Sequence, residues 1–368
     1  MKKLGFGTMR LPLTDPDDEK SIDYDQVCRM VDHFLEQGFV YFDTAHMYHK
    51  DMSEGAVKRC LTDRYSRDRY ILADKMPLVR VKTADDYPRI FEEQLNRCGV
   101  EYFDNYLLHN LGKERYANTE NLGGFEFVHR LKEQKLVKNI GFSYHDNAEL
   151  LDEILTNHPE IDFVQLQINY LDWNSGAIQS GACYEVACRH GKPVIAMEPV
   201  KGGSLANLPA EAMKELEKSG ANGSPASYAI RYDASLDNCM MVLSGMSNLE
   251  QLVDNTAYMK DFKPLNEEER EMLKRITEIL NSNITPCTNC KYCMEDCPKN
   301  INIPAYFGLY NMYTTTGLKT NMYYERASMN HGKALDCIKC GKCEKNCPQH
   351  IEIRSELEKF ADIYEQGK

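Results

Sequence analysis

Apolar positions along the first 260 residues of this 368-residue chain recur with two alternating periods. Short β-branched and aromatic runs predict strands at Leu4–Thr8, Phe39–Asp43, Tyr70–Lys75, Asn105–His109, Lys138–Ser143, Phe163–Asn169, Val194–Glu198 and Met240–Ser244. Between them, apolar residues three and four apart predict amphipathic helices near 24–37, 53–61, 85–98, 122–135, 147–157, 179–190, 225–235 and 248–259. Eight strands, each followed by a helix, predict an α/β fold of the (β/α)8 TIM-barrel type, which needs about 250 residues. A doubly wound sheet would place Gly-x-Gly-x-x-Gly after its first strand. Here that strand runs into Gly5-Phe6-Gly7-Thr8-Met9-Arg10, with no third glycine and no helix start.

Pro264 and the acidic run Glu267–Glu271 open a further helix reaching Leu280. The pattern therefore divides the chain into a barrel over 1–263, a connecting helix and linker over 264–283, and a mainly helical, cysteine-rich domain over 284–368. No apolar run of about 18 residues marks a membrane span. The formal net charge of −12 argues against a nucleic-acid partner. That charge is uneven: the first 283 residues carry −13 and the remainder +1. Lys2 and Lys3 are not followed by the apolar core of a secretory leader, so a cytoplasmic location with reduced thiols is expected.

The cysteines change the picture most. Residues 287–298 read Cys-Thr-Asn-Cys-Lys-Tyr-Cys-Met-Glu-Asp-Cys-Pro, and 337–348 read Cys-Ile-Lys-Cys-Gly-Lys-Cys-Glu-Lys-Asn-Cys-Pro. Two copies of C-x2-C-x2-C-x3-C-P are the ligand signature of a ferredoxin-like domain with two [4Fe–4S] clusters. In the crossed arrangement of that motif, Cys287, Cys290, Cys293 and Cys347 hold one cluster, and Cys337, Cys340, Cys343 and Cys297 the other. Zinc is the rival metal, but it favours two C-x2-C pairs across a longer loop. The remaining six cysteines, Cys28, Cys60, Cys98, Cys183, Cys188 and Cys239, read as small apolar side chains. Lys291, Lys299, Lys339, Lys342 and Lys345 either offset the clusters' negative charge or solubilise the domain. The aromatic insert between the motifs, including Tyr306, Phe307, Tyr310, Tyr313, Tyr323 and Tyr324, reads as packing rather than an electron relay.

Candidate chemistry in the barrel gathers at strand ends. Asp43 ends the second predicted strand, Tyr48 lies in the loop after it, Lys75 ends the third and His109 the fourth. In a barrel these ends share the face where catalytic groups collect. Lys75 near Tyr48 would lower the phenol's pKa from about 10, Asp43 would hold the ammonium, and His109 would orient a carbonyl oxygen that Tyr48 protonates. Singly, each has a structural explanation, such as an ion pair or a core histidine; three successive strand ends favour a site. The loops Leu111–Leu122 and Leu171–Gln179 are expected to shape the pocket, with Trp173 as a wall.

The run Phe42-Asp43-Thr44-Ala45, then Tyr48, Lys75 and Leu107-Leu108-His109, resembles the aldo-keto reductases over about residues 1–260. Gly141-Phe142-Ser143, Gln165-Leu166-Gln167-Ile168-Asn169-Tyr170 and the stretch from Gly245 to Asn255 match as well. With the cysteine motifs, the whole chain resembles a branch of that superfamily carrying a C-terminal iron–sulfur domain. The resemblance implies an oxidoreductase with Asp43, Tyr48, Lys75 and His109 as catalytic tetrad and NAD(P)H bound in extended form. It implies Gly7, Thr8, Ser143, Gln167, Met197, Lys201, Gly202, Ser244, Gly245, Met246, Gln251 and Asn255 as cofactor-binding positions.

Several of these depart from the family. Tyr144 replaces an asparagine, Met197 the tyrosine that stacks on the nicotinamide, and Gly245 and Gln251 the basic pair of NADP-preferring relatives. NADH is thus as suitable as NADPH. Lys201 either meets a phosphate or is a solvated loop lysine. Nicotinamide passes two electrons together and a cluster passes one, so coupling them needs a splitter. A flavin would serve, though no motif here supports one. The expected function is reduction of a small carbonyl or oxidation of an alcohol, with a ferredoxin- or flavodoxin-type redox partner. The alternatives are a cluster-fed, nicotinamide-independent reductase, clusters that only anchor the tail, and a non-enzymatic electron-transfer protein on an inactive barrel.

Overall fold

The computed structural model describes residues 1–366 apart from 177, 221, 222, 283, 288 and 290. Cys290 of the first cysteine motif therefore lies outside the described residues. Two compact units separate. One comprises 1–173, 180–207 and 222–270; the other comprises 174–179, 208–221 and 271–368.

The first unit is built on a closed, all-parallel barrel in sequence order. Its strands are β1 (Leu4–Gly7), β2 (Tyr41–Asp43), β3 (Ile71–Met76), β4 (Phe103–Leu111), β5 (Val137–Tyr144), β6 (Phe163–Gln167), β7 (Val194–Met197) and β8 (Cys239–Gly245). All eight predicted strands are present. Helices α1 (Tyr24–Glu36), α2 (Ser53–Val57), α3 (Asp86–Cys98), α4 (Lys113–Asn121), α5 (Gly124–Glu133), α6 (Ala148–Asn157) and α7 (Ser180–Arg189) follow in turn. They are followed by α9 (Pro225–Ala234) and α10 (Leu249–Lys260), while α8 (Ala210–Lys218) and most of α11 (Glu267–Leu280) belong to the second unit. Short polar residues start several of them: Asp23, Asn147, Ser224 and Asn248 each accept a backbone N–H of the first turn.

Two segments depart from the expected pattern. The expected pocket loop 111–122 is largely α4, which Gly123, at φ 70°, a conformation favouring glycine, separates from α5, the helix expected over 122–135. The helix expected over 53–61 ends at Val57 and continues as a π-helical segment, Lys58–Thr62.

Side-chain alternation along the strands sorts two cores. Tyr41, Ala73, Leu107, Phe163, Ile195, Met241 and Leu243 point inward and fill the barrel. The larger core, including Phe34, Phe42, Leu72, Tyr106 and Phe142, lies between the sheet and its helices. Gly141 makes room for the inner layer, since a Cβ there would stand 2.7 Å from the Phe163 ring.

The second unit adds α12 (Tyr292–Glu295), α13 (Ile303–Thr316), α14 (Asn321–Ser328), α15 (Lys342–Lys345) and α16 (Ile353–Tyr364). Its core joins Ile301, Tyr306, Phe307 and Leu309 to Leu357, Phe360 and Tyr364. Tyr306, Phe360 and Tyr364 form a stack with ring centroids 4.7 Å apart at each step. Tyr306 and Phe307, from the insert between the cysteine motifs, are therefore core packing. No helix among the described residues is long and apolar enough to cross a membrane.

Candidate active site and iron–sulfur centre

Two residues beyond each inner-core position, the same strand parity raises a second layer at the barrel's C-terminal end. It comprises Asp43, Lys75, His109, Ser143, Gln165, Met197 and Gly245. Lys75 is fully buried, and its Nζ lies 2.5 Å from Asp43 Oδ1 and 2.7 Å from the Thr44 carbonyl oxygen. The same ammonium reaches the hydroxyl of half-buried Tyr48 at 3.4 Å. The Tyr48 and His109 rings meet edge to face with centroids 5.9 Å apart. The four expected tetrad residues thus stand together. Thr8 braces them from beneath: its hydroxyl donates to the Asp43 carbonyl oxygen at 3.0 Å and pairs with Ser53 Oγ at 2.7 Å.

Electrostatics define what each group can do. Burial opposes charge on Lys75, but Asp43 and Tyr48 outweigh it, and the amine's pKa is raised. Tyr48 differs from expectation. Burial raises its pKa above 10 although Lys75 pulls it down. The phenol is therefore protonated at neutral pH, as a proton donor must be. Burial, with Lys75, His145 and Arg115 nearby, holds His109 well below the ordinary histidine range, so its ring is neutral. Its Nδ1 is buried without a hydrogen-bond partner, as is Asp43 Oδ2.

The positions expected to hold a cofactor divide. Ser143 Oγ accepts the Asn110 N–H at 2.7 Å. Asn255 Nδ2 donates to Ser244 Oγ at 2.9 Å, and Gly7 pairs with Gly245 in register. Met246 is buried, whereas Gln251, in the first turn of α10, turns back so that its Oε1 accepts the Ser247 N–H at 2.8 Å. Gln167 Nε2 donates to Asp172 Oδ2 at 3.2 Å. Lys201 is not a solvated lysine: it is buried, with Nζ 2.6 Å from both Asp172 oxygens. Gly202 follows it with φ 65°.

Sequence reasoning passed over Gln165. It pairs in register with Ser143, its Nε2 faces Met197 Sδ at 3.4 Å, and its Oε1 is buried without a partner. Parity alone does not choose between Gln165 and Gln167; the register with β5 puts Gln165 in the tetrad's layer. Trp173, expected as a pocket wall, is partly buried. It packs against Tyr184 of α7 and Tyr232 of α9, with centroids 5.5 and 6.0 Å away.

In the second unit the two cysteine motifs repeat one backbone path. Left-handed residues recur at Asn289 and Lys339, at Lys291 and Gly341, and at Asn300 and His350. Each motif closes on its own cavity. Cys287, Cys293 and Cys347 line one. Cys337, Cys340, Cys343 and Cys297 line another. No three His, Cys, Asp or Glu side chains among the described residues converge on a single ion. Thiols spread around a cavity, with the fourth contributed by the other motif, fit a cubane. Lys291 and Lys299 line these cavities, and Lys339 pairs with Glu358 at 2.5 Å.

Comparison with known proteins agrees with this layout. The profile of the aldo/keto reductase family matches residues 3–278. This chain belongs to that family. A 4Fe-4S dicluster domain matches residues 286–352 of this aldo/keto reductase. The 9,11-endoperoxide prostaglandin H2 reductase of Trypanosoma cruzi is 25% identical over 251 residues, covering 66% of this chain and 80% of that one. Among solved structures, the holo form of aldo-keto reductase AKR11C1 from Bacillus halodurans superposes with a TM-score of 0.60 at 22% identity. It covers 74% of this chain and 91% of its own. An aldo-keto reductase from Klebsiella pneumoniae in complex with NADPH gives 0.59 at 19%, covering 75% and 90%. Each of these likenesses leaves at least a quarter of this chain uncovered. The chain is an aldo/keto reductase-family oxidoreductase with an appended 4Fe-4S domain.

Proposed function

We propose that this protein reduces a small carbonyl compound, or oxidises the matching alcohol, with Tyr48 as the acid–base group. The observation that carries this reading is the Lys75 ammonium fixed by Asp43 and Thr44, within 3.4 Å of the protonated hydroxyl of half-buried Tyr48. Tyr48 donates its proton to the substrate oxygen, and Lys75 stabilises the phenolate that remains. Neutral His109 orients that oxygen without competing for its proton.

NAD(P)H, when bound, supplies the hydride. Ser143 and the unpartnered Gln165 Oε1 would hold its carboxamide. Thr8, Ser244, Gly245 and Asn255, at or beside the paired ends of β1 and β8, would meet the rest of the cofactor. Gln251, whose Oε1 already accepts the Ser247 N–H, offers a 2′-phosphate no charge. The cysteines of 287–297 and 337–347 would hold two [4Fe–4S] clusters, whose chemistry when bound would be one-electron exchange with a ferredoxin- or flavodoxin-type carrier. The domain boundary implied is the one between 263 and 284, with α11 as connector.

A second reading has two observations in its favour. Gln167 and Lys201 are both committed to Asp172, and Met197 replaces an aromatic platform. This arrangement suits a reductase whose electrons come through the clusters. Anaerobic incubation with NADH or NADPH and a panel of aldehydes and ketones, read by mass spectrometry of the alcohol, separates the two. Nicotinamide-dependent product supports the first reading. Product only with a reduced carrier protein supports the second.

A further inference from the structure

Away from the barrel mouth, two thiols that the proposed chemistry does not use face each other across neighbouring helices. Cys28 lies on α1 and Cys60 in the π-helical segment that continues α2. Their Sγ atoms stand 2.7 Å apart, inside the roughly 3.5–4 Å at which unbonded heavy atoms settle. One guanidinium fixes both backbones. Arg64 Nη1 donates to the Cys28 carbonyl oxygen at 3.3 Å and to that of Cys60 at 3.1 Å, while Nη2 donates to Asp32 Oδ2 at 2.8 Å. Cys60 is fully buried and Cys28 partly exposed, so a reagent from solvent meets Cys28 first. Burial pushes the Cys60 thiol up, which suits a group that reacts second.

We propose that Cys28 and Cys60 form a reversible intramolecular disulfide by exchange with a small-molecule disulfide. The Cys28 thiolate attacks one sulfur of the small disulfide, forming a mixed disulfide and expelling one small thiolate. Cys60 releases its proton to solvent, attacks Cys28 Sγ, closes the protein S–S bond and expels the second small thiolate. Two protein thiols lose two protons and two electrons, and the small disulfide leaves as two thiols. The bond ties α1 to the segment that begins beside Tyr48. There the Met52 and Ser53 N–H groups donate to the Tyr48 carbonyl oxygen at 3.2 Å, and Ser53 Oγ reaches Thr8 and Thr44. Oxidation therefore stiffens the support of the tetrad.

The test treats the anaerobic holoprotein with oxidised glutathione, then alkylates and digests it without reductant. The expected product is a peptide pair joined through Cys28 and Cys60, about 2 Da lighter than the reduced pair. In Cys28→Ser, Cys60 should be recovered alkylated and free of glutathione. Glutathione left on Cys28 beside an alkylated Cys60, or Cys28 joined equally to other cysteines, would overturn the proposal. A time course on the unaltered chain gives an independent reading should Cys28→Ser fold poorly. A transient glutathione adduct should appear on Cys28 before the linked pair, and its first appearance on Cys60 would contradict the order proposed.

Discussion

Replacing Lys75 by Met isolates the charge that organises the tetrad. Lys75 is fully buried, 2.5 Å from Asp43 Oδ1 and 2.7 Å from the Thr44 carbonyl oxygen. Methionine keeps most of the volume and removes the ammonium. It leaves the Asp43 carboxylate buried without a counter-charge and the Thr44 carbonyl one donor short. Breaking a buried pair in this way costs about 3–5 kcal/mol. The variant can recover part of that by protonating Asp43. Burial already raises the Asp43 pKa while Lys75 opposes the rise, so removing Lys75 lifts it further. A folded-state pKa above the unfolded value of about 3.9 means that the folded chain keeps a proton the unfolded chain has released. That contribution is present at low pH and is lost as pH climbs through the folded pKa. Relative to the unaltered chain, the penalty should therefore be largest in alkali. Below the folded pKa it should shrink by up to about 1.4 kcal/mol per pH unit. Anaerobic urea melts of both proteins at about pH 5 and about pH 8 read this directly. Equal destabilisation at the two values, or none, would refute Lys75 as the counter-charge.

Other consequences are as concrete. Cys340→Ala should lose roughly four irons per chain, one cluster's worth, by metal analysis; full retention would contradict the cavity that Cys340 lines. Gln165→Leu should raise the KM for nicotinamide up to about tenfold with a smaller change in kcat, the loss of one hydrogen bond. An unchanged KM would remove Gln165 from the cofactor site. His109 has a folded pKa below its unfolded value, so its contribution to stability is lost as pH falls through about 6.5. His109→Gln should then lose less stability than the unaltered chain between about pH 7 and about pH 5, and parallel curves would contradict that.

How much of this was legible in the sequence depends on whether the signal was local. The eight strands and the tetrad were, because β-branched runs bounded by turns carry both period and end point. The crossed placement of Cys297 and Cys347 was too, since the spacing groups three thiols and sends the fourth across; each stands at the cavity of the opposite motif. Helix α8 went unread although Ala210–Lys218 is amphipathic, because it sits inside what passes for a long β7–α9 loop. What failed was non-local. Lys201 reads as a loop lysine until Asp172, 29 positions earlier, is seen beside it. Gln165 and Gln167 share one face of β6, and only pairing with Ser143 on β5 distinguishes their levels. The Tyr48 pKa was misjudged because proximity to Lys75 could be inferred, whereas the burial that outweighs it could not.

Turnover of Tyr48→Phe tests the central claim most directly. The substitution removes the one hydroxyl 3.4 Å from Lys75 Nζ and leaves the ring edge against His109. Carbonyl reduction, measured anaerobically beside iron and sulfide content, should fall by about 10²–10⁴-fold while both clusters remain. Turnover at the original rate with the clusters intact would show that the proton comes from elsewhere.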